Sequence, residues 1–148
     1  MSPIDDDQEQ RQRERLQHLV ERLTDAQLTT SLGGGWTVGV ALAHLAFWDR
    51  RVVAQLDQWQ RQGRGPDERD ALDSDVVNTA ALALWQLLPP RAAAQAALDA
   101  ADACDQAVAQ ADPRLLEQVL ARRGPFTLPR AAHRAEHLDH IERALTAT

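Results

Sequence analysis

This sequence predicts an all-α four-helix bundle with one extra short helix between its second and third long helices. Three observations point there. Ala, Leu, Gln, Arg, Asp and Glu dominate the chain, Tyr is absent, Phe occurs twice and β-branched residues are sparse, a composition of helix formers rather than strand formers. Apolar residues recur every three or four positions along four long segments, the pattern of a helix burying one face. Breakers at Gly33-Gly34-Gly35, Gly63-Arg64-Gly65-Pro66, Pro89-Pro90 and Gly124-Pro125 separate those segments. A length of 148 residues suits one domain spanning 1–148, with a core that needs no disulfide.

The first helix is expected over 5–24. Asp5, Asp6 and Asp7 sit where a helix N-terminus favours negative charge, and Leu16, Leu19, Val20 and Leu23 form its stripe. The residues before Leu16 are almost wholly polar, so the first two turns are expected outside the core. Residues 24–35 are expected as a loop. Its three glycines lack the spacing and the following Lys-Ser/Thr of a phosphate-binding loop.

Thr37 is the expected N-cap of a long helix running to about Gln62. Its stripe is Val38, Ala41, Leu42, Leu45, Trp48, Val52, Leu56 and Trp59. A charged loop to Asp73 follows, then the short helix, 74–88. The third long helix is expected over 90–111, with Ala94, Leu98, Ala101, Cys104 and Val108 on one side. Asp112-Pro113 opens a connection carrying Leu115, Leu116, Val119 and Leu120. Pro129 suits the first turn of a last helix reaching Thr146, with Ala131, Ala135, Leu138, Ile141 and Leu145 inward.

Charge and composition exclude several roles. The formal net charge is −6, and no basic block is present to neutralise phosphates, so neither nucleic acid nor an anionic membrane is an expected partner. No run reaches 18 apolar residues, so no membrane span is expected. The Met1–Asp7 stretch has no basic or apolar run, so no cleaved leader is expected. The single cysteine, Cys104, leaves no internal disulfide and fits a cytoplasmic protein.

The histidines carry the chemistry. His133 and His137 stand at i and i+4, one turn apart on one helix face, a spacing that lets two imidazoles converge on one ion. A third ligand has to come from another helix. At about 100° per residue, His44 and His137 both lie about 100° from the centres of their apolar stripes, so neighbouring helices would present both to one cleft. Glu136 and His140 form an alternative i,i+4 carboxylate–imidazole pair. His18 reads as a surface residue.

Other residues have weaker claims. Asp49 falls about 40° from the centre of its stripe, where a charge needs a partner. That partner is expected to be an Arg or a helix N-terminus, or else a ligand imidazole. Cys104 sits among alanines and reads as a buried small side chain. The tryptophans read as packing, with Trp36, just ahead of the helix that carries His44, as the exception. The few serines have no nucleophile-elbow context.

Several segments resemble the DinB/YfiT-like superfamily. They are Leu23-Thr24-Asp25-Ala26-Gln27-Leu28, Gly35-Trp36-Thr37-Val38, Ala43-His44-Leu45-Ala46-Phe47-Trp48-Asp49-Arg50, Asp75-Val76-Val77-Asn78 and His133-Arg134-Ala135-Glu136-His137-Leu138-Asp139-His140-Ile141. The resemblance implies a four-helix bundle, often a homodimer. It implies a divalent metal, zinc or nickel first, held by His44, His133 and His137. Asp49, Trp36 and His140 are candidates for supporting that site or lining its cleft. Some relatives use a low-molecular-weight thiol such as bacillithiol or mycothiol, so the implied function is a metal-dependent, thiol-using transferase or a hydrolase acting on a small-molecule substrate. The alternative is a non-catalytic bundle that acts by dimerisation or partner binding.

Overall fold

The computed structural model describes residues 4–122 and 128–147; the expected turn at Gly124-Pro125 lies outside them. Four long helices make the bundle: α1 (Asp6–Arg22), α3 (Val38–Gln62), α5 (Pro90–Gln110) and α7 (Ala131–Thr146). Between them come α2 (Asp25–Leu28), a two-stranded hairpin of β1 (Ser31–Gly33) and β2 (Trp36–Thr37), α4 (Ser74–Trp85) and α6 (Pro113–Ala121). Helix α4 is the extra helix expected in the second crossing. No helix among the described residues is long and apolar enough to cross a membrane.

The helix ends follow local chemistry. Asp5 Oδ1 accepts from the Gln8 amide, Thr37 Oγ1 from the Val40 amide, and Gly63 closes α3 in the left-handed region at φ 63°. Helix α7 starts two residues later than Pro129 predicts, and its N-terminus has no side-chain cap of its own. The cap is tertiary: the Ala131 amide donates to Glu9 Oε1 of α1 at 2.9 Å. The polar first turns of α1 therefore pack through ion pairs and hydrogen bonds, not through apolar surface.

Two expectations need correction. Residues 24–35 are not a plain loop. Thr24 and Gln27 form a reciprocal capping box that starts α2, and the three glycines, all at positive φ, turn the hairpin that presents Trp36. Residues 113–121 are not a bare connection. Asp112 caps α6, Pro113 occupies its first position, and Leu115 and Val119, one turn apart, are buried against α3 and α5.

Pairings along the helices fix their directions. Glu9 meets Ala131 and Arg15 meets Glu142, so α1 and α7 run the same way. Gly39 lies against Pro90, while Val52 and Leu56 pack near Cys104, so α3 and α5 also run together, opposite to α7. Parallel neighbours require a long return, which the segment containing α4 provides. Among the described residues, helices α3 and α5 make the most extensive packing. The seam of α5 is Ala93, Ala94, Ala97, Ala100 and Ala101, all buried. Its small side chains let the two backbones approach, and a Cβ on Gly39 would meet Pro90 Cβ at 3.0 Å. The main core joins Leu16 and Leu19 of α1, Leu42 and Leu45 of α3, the alanines of α5, and Leu138 and Ile141 of α7.

Candidate metal centre

Helix α3 carries His44 and α7 carries His133 and His137, and the antiparallel packing of the two helices brings the rings together. Their ring centroids lie 4.6 to 5.2 Å apart. One nitrogen from each falls within 4.8 Å of the others, the sole such group of potential ligands among the described residues. His44 Nε2 and His133 Nε2 are 3.2 Å apart. Two imidazoles on a tetrahedral zinc, each at about 2.0–2.1 Å, stand about 3.3 Å apart, so this pair already has the separation that a shared ion requires. His44 is buried and the other two are half-buried, and all three rings line an open cleft.

That cleft, about 360 Å³, is lined by Trp36, Trp48, Ser74, Asn78, Arg130 and Glu136 besides the histidines. The hairpin sets Trp36 edge-on to His44 at 5.1 Å, and Trp85 meets His44 at 5.4 Å and 90°. The Trp48 indole donates to Asn78 Oδ1 at 2.8 Å, tying α3 to α4 across the opening. A larger cavity, about 700 Å³, opens between α1, α5 and α6. Asp6, Glu9, Arg13 and Asp105 are among its lining residues, and among the described residues no three potential metal-ligand atoms converge there as the histidines do in the smaller cleft.

The electrostatics keep the rings neutral. Burial pushes His44 down to about 3, with the positive character of His137 adding to it and the Asn78 side chain opposing. Burial and the Arg130 guanidinium push His133 down to about 2. His137 is lowered chiefly by burial, while Glu136 opposes. Neutral imidazoles are the form that binds a metal. His44 Nδ1 is buried with no partner at hydrogen-bond distance; the Asn78 amide acts on the ring more weakly. The donor set, its spacing and its neutrality all fit a divalent ion.

Behind the histidines lies a buried ion network. Asp49, 1 % exposed, accepts from Arg130 Nε at 2.9 Å and from Arg134 Nη2 at 3.3 Å. The charge expected to need a partner on the apolar stripe thus has two. Arg134 also pairs with Asp105 of α5 at 2.9 Å and Glu9 of α1 at 3.5 Å, so one guanidinium joins all four long helices. Arg130 Nη2 lies 2.8 Å from His133 Nδ1.

Sequence reasoning missed Arg130 and Arg134. Their spacing, three before and one after His133, was visible, but their direction depends on Asp49 being buried opposite. His140 is exposed and stands apart from the three converging rings, as does His18. Cys104 is fully buried, and burial pushes its thiol up to about 12, so it is no ready nucleophile.

A family model described as the DinB superfamily matches residues 8–141, most of the chain. No curated protein and no solved structure gives a significant match.

Proposed function

We propose that this chain, which belongs to the DinB superfamily, is a divalent-metal-dependent enzyme acting on a small molecule, with His44, His133 and His137 as the ligands. The observation that carries the reading is the convergence of three neutral, buried or half-buried imidazoles that line one cleft. Three protein ligands leave coordination positions open, the arrangement of catalytic rather than structural sites. A divalent ion held there would supply Lewis acidity and make a nucleophile available from water or a thiol near neutral pH. Three histidines suit zinc or nickel and do not choose between them.

The protein's own residues have separable tasks. The indoles of Trp36 and Trp48 wall the cleft, and Trp85 packs edge-on against His44. Ser74, Asn78 and Glu136 offer hydrogen-bonding groups at its rim. Transfer involving a low-molecular-weight thiol, or hydrolysis, is the reaction class taken from the family resemblance, together with a homodimer; a cytoplasmic location is taken from the single cysteine.

Elemental analysis of untagged protein beside His137→Ala tests the reading. About one equivalent of a transition metal, lost in the variant, supports it. No metal after reconstitution with zinc and nickel salts overturns it. A second reading would then stand, a bundle that acts through a surface. Helix α4 favours it, because Val76 and Leu84, with Leu87 and Leu88 beyond its end, are exposed large apolar residues.

A further inference from the structure

The contact between Arg130 and His133 runs against the usual construction of a metal-binding histidine. A ligating imidazole carries its proton on the nitrogen away from the metal and donates it to a carboxylate, a carbonyl or water. Here the outer nitrogen, His133 Nδ1, faces Arg130 Nη2 at 2.8 Å. A guanidinium has only donors. His133 Nδ1 must therefore accept, and the ring's own proton sits on Nε2, pointing at His44 Nε2 3.2 Å away. That proton occupies the space between the two nitrogens that a shared metal would take.

Arg130 is firmly held in this position. It is 4 % exposed, and its Nε donates to Asp49 Oδ1 at 2.9 Å. We propose that Arg130, anchored by Asp49, is a positioning residue that holds metal-free His133 in the Nε2–H tautomer, so that metal capture requires the guanidinium to leave His133 Nδ1. The inference rests on the reading of the three histidines as ligands. It adds a built-in brake on metal affinity, set by a hydrogen bond and not by the ligands themselves.

Two measurements test it on the full chain. Long-range ¹H–¹⁵N spectra of the metal-free wild-type protein report which ring nitrogen of His133 is protonated. Nε2–H is expected, and Nδ1–H overturns the proposal whatever the variants do. The second measurement is the zinc dissociation constant by competition with a chromophoric chelator. Arg130→Gln removes the charge and offers a carbonyl oxygen to Nδ1–H, and Asp49 keeps Arg134 as a partner at 3.3 Å. This variant is expected to bind zinc about tenfold more tightly, the scale of effects from groups behind a metal ligand. Arg130→Lys, still a cationic donor, is expected not to tighten zinc binding, and tightening equal to that of Arg130→Gln overturns the proposal. Equal or weaker binding by Arg130→Gln overturns the proposal. If wild type binds zinc and His137→Ala does not, that failure is confined to Arg130. If wild type binds no zinc, the reading of the site fails and this inference with it.

Discussion

Acidifying the metal-free protein from pH 7 to pH 5 should destabilise it, and His44 and His133 should account for a defined part of the loss. Burial holds their folded values near 3 and 2, against an ordinary 6.5. Above pH 6.5 both rings are neutral whether the chain is folded or not, and their contribution to stability is fully present. As the pH falls through 6.5 the unfolded chain takes up protons that the folded chain refuses. Stability then declines by up to about 1.4 kcal/mol per pH unit per ring until the folded values are reached. From pH 7 to pH 5 this amounts to about 2 kcal/mol for each ring. His133 borders an open cleft, where solvent screening roughly halves its share, which leaves about 3 kcal/mol for the two. Glu9 is raised by burial and works in the opposite sense just above its ordinary value, but it does so equally in any histidine variant. Urea unfolding followed by tryptophan fluorescence, in chelator, at pH 7, 6 and 5, would compare wild type with the double variant His44→Gln/His133→Asn. Wild type should lose about 3 kcal/mol more than the variant. Equal losses would refute the claim that these rings are held neutral by the fold.

The remaining predictions concern the residues around the site. Arg134→Met should cost about 3–5 kcal/mol in urea unfolding, because it strips a buried partner from Asp49 and Asp105 together; a loss below about 1 kcal/mol would mean the network is no more than a surface-type contact. Cys104 should resist a thiol reagent at pH 8 until the chain unfolds, since it is fully buried and its thiol is held near 12. Fast labelling of the folded protein would show that the α3–α5 seam opens readily.

The long helices were legible because their signals are local. Thr37 and Gly63 mark the ends of α3 by side-chain capping and by a left-handed φ, and both are readable from residue type. The short elements were less so. Helix α6 has its Asp-Pro start and the Leu115–Val119 pair, yet nine residues supply too few turns for periodicity to stand out from a connection. Helix α2 is one turn held by its capping box, and the hairpin by its glycines. The buried face of α7 was misjudged at one position. Arg134 lies in line with Leu138 and Ile141 and is fully buried, because three carboxylates from other helices compensate its charge.

The residues alone established an all-α chain, the segments that form its long helices, and a pair of imidazoles one turn apart on the last of them. Each of these follows from 3.6 residues per turn and from contacts within a few positions along the chain. Packing had to bring His44 across to His133 and His137. It had to run α3 parallel to α5, and to bury Asp49 between two arginines, one of which touches His133. Those outcomes depend on which helices touch and in which direction, and the free energy that selects them comes from apolar surface and charges far apart in the chain. A single helix's periodicity gives the side of the cylinder a residue occupies, but it does not identify the neighbour across from it.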